Sequence, residues 1–135
     1  MTPEAMEGIR QFAGEVHALA KEKGWWDAPR SPVECLALVH SEVSECVEDL
    51  RAPKPFWGAD GMAFVEAGIT YSELRDCPDA RRQLAKPVGP AVELADAVIR
   101  ILDLAESQGW DIAKALSMKD AYNANRPYRH GGKTL

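Results

Sequence analysis

The chain has 135 residues, 46% hydrophobic and 27% charged, with a formal net charge of −5. That length suits one compact domain, expected over residues 1–135, whose core needs neither disulfides nor a structural metal. The acidic balance excludes binding long nucleic acid through its backbone, and the three cysteines, Cys35, Cys46 and Cys77, lack the paired spacing of a disulfide framework.

The first helix is expected to start with Thr2 as N-cap and Pro3 at its first position, and to end near Gly24. The segment "WWDAPR" follows as an aromatic connector. Ser31 and Glu34 then form an S-x-x-E capping box with Pro32 between them, opening a second helix, "SPVECLALVHSEVSECVEDL". Leu36, Val39, Val43 and Leu50 recur at helical spacing and predict its buried stripe. Cys35 and Cys46 fall in the same apolar pattern, where a free cysteine acts as a small hydrophobe.

Prolines and glycines punctuate residues 52–90, which read as a long irregular loop. Within it "MAFVEAGITYSEL" suits a short strand or helix, and "PDARRQLA" one or two helical turns. Pro90 opens a third long helix that ends at Gly109. Asp111 caps a fourth, "IAKALSMKDAYNAN", stopped by Pro127. The fold class is all-α: four main helices, bundle-like, with a long irregular loop between the second and third. The N-terminus has no apolar secretory signal, and no run is long enough to span a membrane. A cytoplasmic protein without membrane partners is expected.

The chemistry is concentrated in acids. Glu42 and Glu45 are three apart on the second helix, and Glu93 and Asp96 three apart on the third. Residues i and i+3 share a helix face, so two packed antiparallel helices can aim all four carboxylates at one spot. E-x-x-E alone is common on solvated helices. The third helix, however, is apolar almost all round, which predicts burial in a core or an interface. Acids in such a setting are paired, protonated or metal-bound. Mg²⁺ suits the set, being a hard cation that takes oxygen ligands and bridges to phosphates. The main structural alternative is Arg100 pairing with Asp96 four residues back; Arg100 also suits an i, i+3 pair with Asp103, or a place beside the site where it tunes Asp96. A di-iron carboxylate bundle is excluded, because no E-x-x-H is present.

The last helix carries Lys119, Asn123 and Arg126 along one face, followed by Arg129 and Lys133. Residues 114–135 sum to +4 in an acidic chain, which points to an anionic ligand such as phosphate. Basic residues near a helix C-terminus also suit the macrodipole. Trp25, Trp26 and Trp57 lie in connectors, where an aromatic either stacks on a base or packs at a bundle end.

The segments "SEVSE" at 41–45, "ELAD" at 93–96 and "KDAYNANRPYRHGG" at 119–132, with "EKGWWDAPRS" before the second helix, resemble the MazG-like all-α nucleotide pyrophosphohydrolases. The resemblance covers most of the chain except the central loop. It implies Mg²⁺-dependent hydrolysis of a nucleoside or deoxynucleoside triphosphate to monophosphate and pyrophosphate, with Mn²⁺ as a substitute ion, in a homodimer or homotetramer. It implies Glu42, Glu45, Glu93 and Asp96 as metal ligands. A glutamate not fully used as a ligand, Glu42 or Glu45, would take the proton from the attacking water. Lys119 and Asn123 would contact phosphate or sugar, with Arg126, Arg129 and Trp26 as further substrate contacts. One departure stands out: 47 residues separate Glu45 from Glu93, more than the short linker of compact members. The other class of function to weigh is a non-catalytic helical dimer that binds nucleotide or serves as a scaffold.

Overall fold

The computed structural model describes residues 1–52, 63–65 and 86–127. Four helices dominate them: α1 (Pro3–Glu22), α2 (Pro32–Arg51), α3 (Pro90–Ser107) and α4 (Ile112–Ala124). The fold class is all-α.

Local chemistry sets the helix ends. The Thr2 hydroxyl accepts the Ala5 N–H at 3.2 Å. Ser31 Oγ accepts from the Val33 N–H, while Glu34 Oε2 accepts the Ser31 N–H at 2.9 Å, completing the capping box. Asp111 Oδ1 accepts the Lys114 N–H at 2.9 Å at the start of α4. At the other ends, α1 and α3 close with the same device. Gly24 (φ 80°) and Gly109 (φ 67°) take left-handed backbone. The following Trp25 and Trp110 N–H groups donate back to the Ala20 and Ala105 carbonyls, which is a Schellman motif.

The described part of the central loop is not irregular throughout. Strand β1 (Ala63–Val65) pairs antiparallel with β2 (Lys86–Val88), with Phe64 opposite Pro87. Proline is tolerated there because a two-stranded ribbon leaves one edge of each strand without a partner. Helical turns expected over 78–85 lie outside the described residues.

The chain packs as two compact units, Ser31–Ile101 and Met1–Arg30 with Leu102–Leu135, the boundary falling inside α3. In the second of these, α1 packs on α4. Its core is formed by Ala13, Leu102, Leu104, Ala105 and Ala113, and the small side chains permit close helix approach. Arg10 grips the Asp111 carboxylate through Nε (3.2 Å) and Nη2 (3.0 Å), linking the middle of α1 to the cap of α4.

In the Ser31–Ile101 unit the buried residues include Cys35, Cys46, Ala97 and one acid, Glu42, only 7% exposed. This corrects the stripe expected for α2. Leu36, Val43 and Leu50 are exposed, Leu50 by 64%. At 100° per residue the buried face, centred on Cys35, Glu42 and Cys46, is rotated by roughly 70° from the expected one. The apolar residues of α2 span more of the circumference than this unit covers, and periodicity alone does not say which part is covered.

Candidate metal centre

Glu42 lies on the buried phase of α2, between Cys35 and Cys46. Glu45, 300° further round the helix, lies on the flank of that face and is exposed. Glu93 stands in the first turn of α3 and is half-buried. One carboxylate oxygen from each of the three lies within 4.8 Å of the others. Oxygens sharing one Mg²⁺ lie about 3 Å apart when adjacent and about 4.2 Å apart when opposite, given ligand distances near 2.1 Å. The spacing is thus within a small side-chain adjustment of a common cation. Asp96 stands outside this group of three. It is half-buried, and its negative charge acts on Glu93.

Electrostatics bear on the fit. Burial pushes the Glu93 carboxyl above the usual range, and repulsion from Glu45, Asp96, Glu42 and Asp49 pushes it in the same direction. Glu93 therefore ionises against its surroundings, an arrangement that a bound cation relieves. All three donors are hard oxygens, so the residues fit Mg²⁺ or Mn²⁺ and offer no soft ligand.

Arg100 is the surprise of the site. It pairs with neither Asp96 nor Asp103. Its Nε donates to Glu42 Oε1 at 2.6 Å, across 58 residues of sequence. The cause lies in helix phase: Glu93, Ala97 and Arg100 form one stripe on α3, so the face that carries Glu93 also carries Arg100. Glu45 has a smaller partner, the Ser41 hydroxyl, which donates to its Oε1 at 3.3 Å.

Apart from Trp57, the remaining residues singled out by the sequence belong to the other unit. Trp26 Nε1 donates to Asp103 at 2.9 Å, and its ring meets His17 edge-on at 5.3 Å. His17 Nδ1 lies 2.7 Å from the same Asp103 carboxylate. Arg30 stacks over both Trp25 and Trp26. On α4, Lys119 and Asn123 are exposed; Arg126, expected on the same helix, lies beyond its end at Ala124 and the Asn125 C-cap, and is half-buried. The Lys119 ammonium and the Arg126 guanidinium both approach the Tyr122 ring, at 5.1 and 5.8 Å from its centroid. Arg129, Lys133 and Trp57 lie outside the described residues.

Sequence reasoning missed Arg100 as the partner of Glu42 and Tyr122 as the ring that Lys119 and Arg126 both approach. The first was recoverable from the shared phase of Glu93 and Arg100. The second needed the observation that Tyr122 falls on the arc already assigned to Lys119 and Arg126. No helix of the described residues is long and apolar enough to cross a membrane. No protein-family profile, curated protein or solved structure matches the chain.

Proposed function

We propose that the protein hydrolyses a nucleoside or deoxynucleoside triphosphate to the monophosphate and pyrophosphate, with Mg²⁺ held by Glu42, Glu45 and Glu93. The observation that carries this reading is the convergence of three carboxylates from two helices on one point. The segments resembling MazG-like enzymes agree with it, and Asp96 serves as an outer acid or a fourth ligand.

The chain's own residues divide the work. Glu42 is fixed by Arg100, so it holds position rather than moves a proton. Glu45 is exposed and, among the described residues, has a hydroxyl as its hydrogen-bond partner, which makes it the better general base. It takes the proton of the water that attacks the α-phosphorus, as the bond to the bridging oxygen breaks and pyrophosphate leaves. Glu93, raised by its neighbours, gains most from a cation nearby. When bound, a divalent ion supplies Lewis acidity, acidifying water and offsetting phosphate charge. Lys119, Asn123, Arg126 and Arg129 are assigned to phosphate and sugar by their sequence pattern. A homodimer or homotetramer is part of the reading, supported by the exposed apolar residues Leu36, Val43, Val47 and Leu50 on α2 and Leu94 and Val98 on α3.

A second reading, a non-catalytic helical dimer that binds nucleotide or acts as a scaffold, is favoured by the Arg100–Glu42 pair. That pair gives Glu42, the most buried acid among the described residues, a structural partner without any metal. Product analysis after incubation with triphosphates and Mg²⁺ separates the two, since only the first releases pyrophosphate.

A further inference from the structure

We propose that Arg100 is a charge-setting residue of the carboxylate centre: it holds the site at the charge a divalent ion neutralises and weakens cation binding in doing so. This rests on the reading of Glu42, Glu45 and Glu93 as a metal centre.

Three ionised carboxylates within 4.8 Å carry −3, and the guanidinium bonded to Glu42 brings the sum to −2. Asp49 and Asp96 add negative field at Glu93 from further out. Among the described residues Arg100 is the one cation paired with the triad. Glu42 is almost wholly buried and Arg100 half-buried, so the guanidinium charge is only partly screened from a neighbouring ion. A positive charge that close to a cation site opposes the incoming ion. It also holds the Glu42 carboxylate in one rotamer before the ion arrives. The result is a pre-formed site of moderate affinity, suited to an ion that arrives and leaves with a phosphate ligand. Without Arg100 the centre would be a −3 trap with tighter binding and a bias toward trivalent ions.

The test is cation binding by the full chain, read without any activity. Mn²⁺ and Tb³⁺ affinities are measured by calorimetry and by lanthanide luminescence, with thermal melts in EDTA and in Mg²⁺. Arg100→Gln retains an N–H donor for Glu42 but no charge, which keeps the fold supported. It is expected to bind Mn²⁺ about tenfold more tightly, and Tb³⁺ more tightly still. Arg100→Lys keeps the charge and is expected to stay within about threefold of the wild type. In EDTA, Arg100→Gln melts lower than the wild type, and its Mg²⁺-induced rise in midpoint is larger. Equal or weaker Mn²⁺ binding by Arg100→Gln overturns the proposal. If the wild-type chain itself binds no divalent ion, the metal reading fails, and this inference with it.

Discussion

Trp26 donates its indole N–H to Asp103 at 2.9 Å, and the same carboxylate receives His17 at 2.7 Å, so one acid of α3 ties down two aromatic rings of the N-terminal segment. Asp103 and His17 are both largely buried, with side chains 15% and 14% exposed. A hydrogen bond to a charged group in such a setting contributes about 1.5–3 kcal/mol. Trp26→Phe keeps the ring and removes the donor. It is expected to lower stability by about 1.5 kcal/mol in urea unfolding. An unchanged midpoint would favour base stacking, the other role its connector position allows, over the hydrogen bond to Asp103.

Asp111 joins the cap of α4 to Arg10. The Arg10 hydrogen bond, and then the Lys114 N–H, hold its carboxyl below the usual range. A carboxyl lowered in the folded state contributes stability that is present above its unfolded value of about 3.9 and lost as pH falls through the lower folded value. Asp111→Asn is therefore expected to be less stable than the wild type at neutral pH, with the gap closing in acid. Urea midpoints measured across that range check it. A gap that persisted below the folded value would assign the effect to the amide's geometry instead.

Glu93 has the opposite sign. Its folded value is raised, so protonation favours the folded state. That contribution is complete below about 4.3, the unfolded value, and lost as pH rises through the folded value. In EDTA at neutral pH, Glu93→Gln is expected to be at least as stable as the wild type, with the advantage disappearing in acid. The same variant is expected to lose most of the Mg²⁺-dependent rise in melting temperature. A variant that melted lower in EDTA but retained the full Mg²⁺ response would remove Glu93 from the site.

Leu36, Val43, Val47 and Leu50 leave an apolar strip of α2 uncovered. In the proposed homo-oligomer a second copy covers it. Val43→Glu with Leu50→Glu is expected to shift the sedimenting species to monomer without unfolding it. A wild-type chain that sediments as a monomer at tens of micromolar would contradict this.

Much of the frame was legible in the sequence because it is local. Thr2, the Ser31–Glu34 box, Asp111, Gly24 and Gly109 act on residues within a few positions of themselves, and each ends its helix as expected. What resisted reading was non-local. Leu36 and Cys35 are neighbours in sequence and 100° apart on α2, and tertiary packing selected the Cys35 side. Arg100 had local acids at Asp96 and Asp103, yet it bonds Glu42. Helix spacing makes Asp96 reachable, but the facing helix offered a more deeply buried carboxylate with more to gain from a partner. The helix phase that turns Glu93 toward Glu42 and Glu45 turns Arg100 the same way, because the two share a stripe.

The products of triphosphate turnover distinguish this reaction from every alternative. A panel of canonical and modified nucleoside triphosphates is incubated with the protein and Mg²⁺, and the products are separated. Nucleoside monophosphate and pyrophosphate are expected in equal amounts, with turnover abolished by EDTA and reduced at least about a hundredfold by Glu45→Gln. Diphosphate with inorganic phosphate, or no turnover of any triphosphate by a folded chain that binds Mg²⁺, would contradict it.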